Sequence, residues 1–307
     1  MLHETRIAYG EVLSRLVKED ENVVVLDADL SGSTKTAMAK AVCPERHFNM
    51  GIAEANMMAV AAGLAASGKT VFASSFSMFA TARPYEQIRN SIGYPALNVK
   101  VCATHAGISV GEDGASHQTI EDIALMRVIP NMRVYSPCDY YQTKAVIEHV
   151  YKTDGPCYVR MQRGKVEDVY SEETVFDVTK ATIVRQGKKA AIYATGLMVQ
   201  ECLKAADKLA EEGIELTVVN VCSIKPLDKE TICEVARTHD ILFTAEEHSI
   251  IGGLYGAISE CLLANEPKKC VPIGVNDVFG ESGPALEVLE VFGLCASHVY
   301  DVVKENI

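Results

Sequence analysis

At 307 residues the chain is too long for one ordinary domain and suits two. With 48% hydrophobic and 23% charged residues and no low-complexity tract, the composition is that of a folded protein, which excludes a disordered one. A formal net charge of −12 repels phosphate backbones, so nucleic acid is not an expected partner, and any anionic substrate must be met by a local cluster of Arg and His. Short β-branched runs alternate with longer helical patterns, predicting a parallel sheet with crossover helices. In chain order they predict a strand at Val23–Leu26 and a loop over Asp27–Ser33. A helix over Glu54–Ser67 and a strand over Thr70–Ser74 follow, then a helix over Pro84–Ile92 and a strand over Val99–Ala103. A strand around Val134, a helix over Tyr140–Tyr151 and a strand over Tyr158–Met161 close the first domain, 1–165. The acidic, aperiodic stretch 166–179 reads as a linker. The alternation restarts in a second domain, 180–307, with strands at Lys189–Tyr193, Glu215–Val221, Ile241–Thr244 and Val271–Val275 and helices at Met198–Glu212 and Leu254–Leu263. The expected fold class is α/β: two domains, each a mainly parallel sheet with helices on both faces.

Ten cysteines include no Cys-x-x-Cys pair, and Cys102, Cys157 and Cys222 sit in apolar, strand-like runs, so a reducing, cytoplasmic setting is expected. The opening Met1–Arg6 has none of the regions of a signal peptide. The longest apolar stretch, 48–68, is interrupted by Glu54, leaving 14 uncharged residues after it against the ~18 that a membrane span needs.

Residues Gly63–Thr70 match the P-loop pattern letter for letter, but an Ala-rich helix leads into the glycines and a strand leads out. That is the reverse of the order that points a helix N-terminus at phosphates, so a helix C-cap is expected instead. The glycines from Gly107 to Gly114 miss the Gly-x-Gly-x-x-Gly spacing.

Glu54 is the only formally charged side chain between Phe48 and Gly68, among Ile52, Ala53, Ala55, Met57, Met58, Ala59 and Val60. Two readings stand: an exposed glutamate on the polar edge of a helix, or a desolvated carboxyl kept at least partly neutral for proton donation or a strong hydrogen bond. The loop Thr104–Gln118 follows a strand end and carries His105, His117 and Asp113, a set suited to hydroxyls and phosphate. A metal held by this chain alone is not expected, because a zinc site lacks third and fourth ligands and Glu246-Glu247-His248 lacks the metalloprotease order.

Four segments carry a family resemblance: Asn49-Met50-Gly51-Ile52-Ala53-Glu54, Phe76-Ser77-Met78-Phe79, Gly111-Glu112-Asp113-Gly114-Ala115-Ser116-His117-Gln118 and Pro130-Asn131-Met132-Arg133. The chain resembles the carboxy-terminal half of a transketolase, its pyrimidine-binding domain and the domain after it. The second domain resembles the family in its α/β pattern and in general motifs such as Gly252-Gly253-Leu254. The resemblance implies that Glu54 contacts the aminopyrimidine of thiamine diphosphate and promotes its imino tautomer. It implies that Phe76, Phe79 and Asp29 complete the cofactor contacts. His105 and His117 would line the substrate channel, with His117 also counted as catalytic. Asp113 would hold a substrate hydroxyl, and Arg6, Ser33 and Arg163 would meet the distal phosphate of a sugar phosphate. Ala82 stands where the family often has an aromatic, which leaves the roles of Arg83 and Tyr85 open.

The family's diphosphate-and-metal motif, Gly-Asp-Gly with a later Asn, belongs to the preceding domain, and no Gly-Asp-Gly occurs here. With Met1 close to where the pyrimidine domain would begin, the chain looks like one subunit of a split enzyme; a truncated chain would look similar. The implied partner is an N-terminal transketolase subunit that holds Mg2+ (or Ca2+). The implied assembly is a heterotetramer in which this chain also pairs with its own copy. Readings kept beside it are a 1-deoxyxylulose-5-phosphate synthase half, a 2-oxo acid dehydrogenase β subunit and a non-catalytic regulatory paralogue.

Overall fold

A computed structural model describes residues 1–307. Its larger sheet has seven strands in the order Ser223–Lys225, Arg133–Tyr135, Cys157–Arg160, Val99–Ala103, Thr70–Ser74, Val23–Asp27 and His47–Asn49. Every neighbouring pair is parallel except the first, which is antiparallel. The central strands are buried on both faces, so they read as mainly apolar runs without alternation; Lys100 is the charged exception, its Nζ donating to the Thr153 and Gly155 carbonyls. Val24, Leu26, Val71, Ala73, Val99 and Val101 pack on one face with Met57, Met58 and Ala61 of helix Glu54–Ala66. Val23, Val25, Phe72, Cys102 and Val159 face the other way, toward helices Thr5–Glu19 and Tyr140–Lys152.

The second sheet runs Cys270–Val275, Ile241–Ser249, Ala190–Ala194, Leu216–Asn220, Thr182–Arg185, parallel except for the last strand. Both sheets are those of the expected two-part α/β fold. No helix is long and apolar enough to cross a membrane.

Residues 166–179, expected as the linker, are anchored to distant segments: Lys165–Glu167 pairs with Leu2–Glu4, Val178 is buried, and the Asn220 amide donates to Tyr170 Oη at 2.9 Å. Their acidic composition conceals these anchors, which lie far away in sequence. The expected helix Pro84–Ile92 is a short turn, Tyr85–Gln87, followed by a wider π-helical turn, Ile88–Gly93. That turn ends at Gly93, where a Cβ would lie 2.7 Å from Ile129 Cγ2, so a larger residue there would force Ile129 to shift. Cys222 lies between two strands, although still buried. At the rejected P-loop, helix Glu54–Ala66 ends before Gly68, whose φ is +94°, and strand Thr70–Ser74 leaves it.

Strands His47–Asn49, Val23–Asp27, Thr70–Ser74 and Val99–Ala103 are consecutive neighbours in the first sheet. Their carboxyl ends release the segments bearing Glu54, Asp29, Phe76 and His105 on one side of the sheet, where parallel architectures gather ligands.

Candidate functional site

Glu54 opens helix Glu54–Ala66, a position where the helix dipole favours negative charge. Its side chain is 4% exposed, so the exposed-glutamate reading is excluded. It does not stand alone among apolar neighbours, as expected: Arg83 Nη1 donates to its Oε1 at 2.8 Å. Arg83 lies in the turn after helix Ser77–Thr81, and its guanidinium carbon sits 4.2 Å from the centroid of the Phe79 ring. An aromatic followed four residues later by a cation is a legible local signal; the link from position 83 to position 54 is not.

Glu54, Arg83, Phe79, Phe76, His117 and Asp29 line a cleft of about 310 Å³ with Ala28, Leu30 and Ile52. The His117 ring meets Phe79 edge-on with centroids 5.0 Å apart, and His105 stacks on Phe76 at 3.7 Å. Asp29 adopts φ +64° and is tied to Asn49, whose amide donates to Asp29 Oδ1 at 2.9 Å. Beneath it, buried Asp27 accepts from Leu30 N at 2.6 Å, Thr34 Oγ1 at 2.8 Å and Thr36 Oγ1 at 2.9 Å, which folds the loop.

His105 lies behind Phe76, held in the left-handed region at φ +59° with its Nδ1 2.8 Å from Thr104 Oγ1. Burial first, then the charges of Arg6 and Arg163, lower its pKa to about 3, so the ring is neutral near neutral pH. Arg6 donates to the Ser33 carbonyl at 3.0 Å and to Glu4 at 2.9 Å. Arg163 donates to Glu112 at 2.8 Å and to the Val110 carbonyl. Asp113 is exposed on the same loop as Glu112. The expected residues thus divide: Glu54, Asp29, Phe76, Phe79 and His117 line the cleft, while His105, Arg6, Ser33, Asp113 and Arg163 lie outside its lining.

The loop bearing His117 is held by residues that the sequence did not single out as a brace. Gln118 Nε2 donates to the Ile108 carbonyl at 3.0 Å and to the Glu281 carbonyl at 2.9 Å, and Ser109 N donates to Glu247 Oε1 at 2.6 Å. Gly107, at φ +81°, leaves room for that carboxyl: a Cβ there would lie 2.2 Å from it. The neighbouring Glu246 accepts from Leu254 N at 2.6 Å and Tyr255 N at 2.8 Å, anchoring the start of helix Leu254–Asn265.

The cleft residues fit the pyrimidine end of thiamine diphosphate. Phe79 offers a ring face, and a sealed carboxylate beside it can engage a ring nitrogen or an amino group.

Two family models match the chain. The transketolase pyrimidine-binding domain matches residues 3–168 and the transketolase C-terminal domain matches residues 179–299. A Methanocaldococcus jannaschii protein named "Putative transketolase C-terminal section" is 52% identical over 98% of this chain and 96% of its own length. The 6-deoxy-6-sulfo-D-fructose transketolase subunit of Clostridium sp. (strain MSTE9) is 40% identical over 99% of this chain and 94% of its own length. A solved structure described as "Split gene transketolase, inactive beta4 tetramer" superposes with a TM-score of 0.90 at 48% identity, covering 98% of this chain and 97% of that one. The chain therefore belongs to the transketolase family, of which it carries the pyrimidine-binding and C-terminal domains.

Proposed function

We propose that this chain is the C-terminal subunit of a two-chain transketolase that moves a two-carbon ketol unit between sugar phosphates with thiamine diphosphate. One observation carries the reading: a carboxyl 4% exposed opens onto an aromatic cleft that His117 also lines. Bound there, thiamine diphosphate supplies a carbon nucleophile able to take a ketol fragment from one sugar and hand it to another.

Glu54 holds a pyrimidine nitrogen, Phe76 and Phe79 bound the ring, and Asp29, which lines the same cleft, completes the cofactor contacts. His117 is the group placed to exchange a proton with a sugar hydroxyl, and neutral His105 hydrogen-bonds a second hydroxyl without adding charge. Asp113 takes a hydroxyl at the loop, and Arg6, Ser33 and Arg163 meet the distal anion. The diphosphate and its Mg2+ (or Ca2+) fall to an N-terminal subunit, in a heterotetramer with two copies of each chain. All ten cysteines are free, in keeping with a reducing cytoplasm.

A second reading concerns the substrate alone. The Clostridium relative is named for a sulfo-sugar, and Arg6 and Arg163 would attract a sulfonate as they attract a phosphate.

The test mixes this chain with its N-terminal partner, thiamine diphosphate and Mg2+, then supplies a ketose phosphate donor and an aldose phosphate acceptor. Ketol transfer is expected from the mixture and from neither chain alone. Activity of this chain by itself, or an inert mixture, would sink the reading. Faster turnover of a 6-sulfo ketose would shift the substrate to the second reading.

A further inference from the structure

Arg83 makes both contacts that a bound pyrimidine ring would need. Its planar guanidinium lies over Phe79, 4.2 Å from the ring centroid, and its Nη1 donates to Glu54 Oε1 at 2.8 Å. A delocalised, flat, hydrogen-bond-donating group resembles the edge and face of an aminopyrimidine far more than a lysine ammonium would. We propose that Arg83 is a placeholder: in the cofactor-free chain it fills the slot between Phe79 and Glu54, and its departure sets how tightly the site loads.

The proposal rests on the thiamine diphosphate reading of the cleft and concerns a residue to which that reading gives no role. Three features make departure feasible. Arg83 is 49% exposed whereas Glu54 is 4% exposed, so only the cation has water to move into. It lies in a turn between helices Ser77–Thr81 and Tyr85–Gln87, so the side chain can swing without unwinding a helix. The Arg83 side chain makes no hydrogen bond other than the one to Glu54, and Glu54 accepts no other side-chain donor.

An ion pair and a cation–π contact of this exposure together correspond to about tenfold in an equilibrium constant. A ligand that competes with them has its apparent affinity lowered by that factor.

The experiment measures thiamine diphosphate binding, with Mg2+, to the assembled two-chain enzyme by calorimetry, and the melting shift that the cofactor produces. For Arg83→Gln the expected result is binding about tenfold tighter. Its cofactor-free form should melt lower than wild type, and its cofactor-induced shift should be larger. For Arg83→Lys, which keeps a charge and loses the planar stack, an intermediate gain of about threefold is expected. Equal or weaker binding by Arg83→Gln, beside normal binding by wild type and Arg83→Lys, overturns the placeholder and leaves the functional reading standing. Failure of wild type and both variants to bind thiamine diphosphate overturns both.

Discussion

Two carboxylate–guanidinium pairs of equal length behave differently because water reaches one of them. Glu54–Arg83 and Asp122–Arg160 are both 2.8 Å apart, but their side-chain exposures are 4% and 49% in the first and 0% and 1% in the second. The second pair sits where the halves of the chain meet. Arg160 Nη2 also donates to the Glu247 carbonyl at 2.7 Å, and Tyr158 Oη donates to Asp122 at 2.5 Å. A sealed pair cannot part without stranding a charge in the interior, so it joins the two halves; a half-exposed pair can part and is suited to a site that must open. Distance alone would have ranked them as equals.

The largest effect expected of this contrast is chemical. Glu54→Gln in the assembled enzyme should lower ketol transfer by about 10²- to 10⁴-fold, the range of a lost proton-handling group. Its folding stability should change by no more than about 1 kcal/mol, because the partner that remains is half-exposed. Steady-state rates read beside urea unfolding test both arms, and a collapse of stability would make the two pairs alike in kind.

Arg160→Met should do the reverse, costing about 3–5 kcal/mol of unfolding free energy by leaving Asp122 buried and unpaired. Urea titration measures it. A loss below about 1 kcal/mol would show that the buried pair is no brace.

The smallest effect is a dependence on pH at the edge of the cleft. The folded pKa of His105, about 3, lies below the ordinary histidine value, so acid protonates the unfolded chain first. The neutral ring's contribution is complete above about pH 6.5 and is lost as pH falls toward the folded value. His105→Asn should therefore lose less stability than wild type between pH 6 and pH 4, the difference growing by up to about 1.4 kcal/mol per pH unit. Parallel stability–pH curves for the two proteins would remove His105 as the cause.

Much of the scaffold was legible. Strands Thr70–Ser74 and Val99–Ala103 lie where β-branched runs predicted them, because strands buried on both faces need mainly apolar sequence. Helix Thr5–Glu19, not among the expected elements, carries a readable signal: Ala8, Tyr9, Val12, Leu13, Leu16 and Val17 repeat at helical spacing and are all buried. Glu54 stood out as an acid within an apolar stretch, and its neighbours in the cleft followed from family motifs.

Arg83 and Glu247 were not legible in these roles. Arg83 reaches its partner across 29 positions and Glu247 braces Ser109 across 138, and no local pattern encodes either pairing. Strand Ser223–Lys225 likewise carries no mark that it crosses from the second half of the chain to close the edge of the first sheet. By itself the sequence determined the alternation of strands and helices, the acidic balance and the family, because propensity, apolar pattern and motif act between residues near in the chain. Which guanidinium meets which carboxylate, and whether water can reach the pair, only the tertiary structure decided, because burial and approach depend on how distant elements pack.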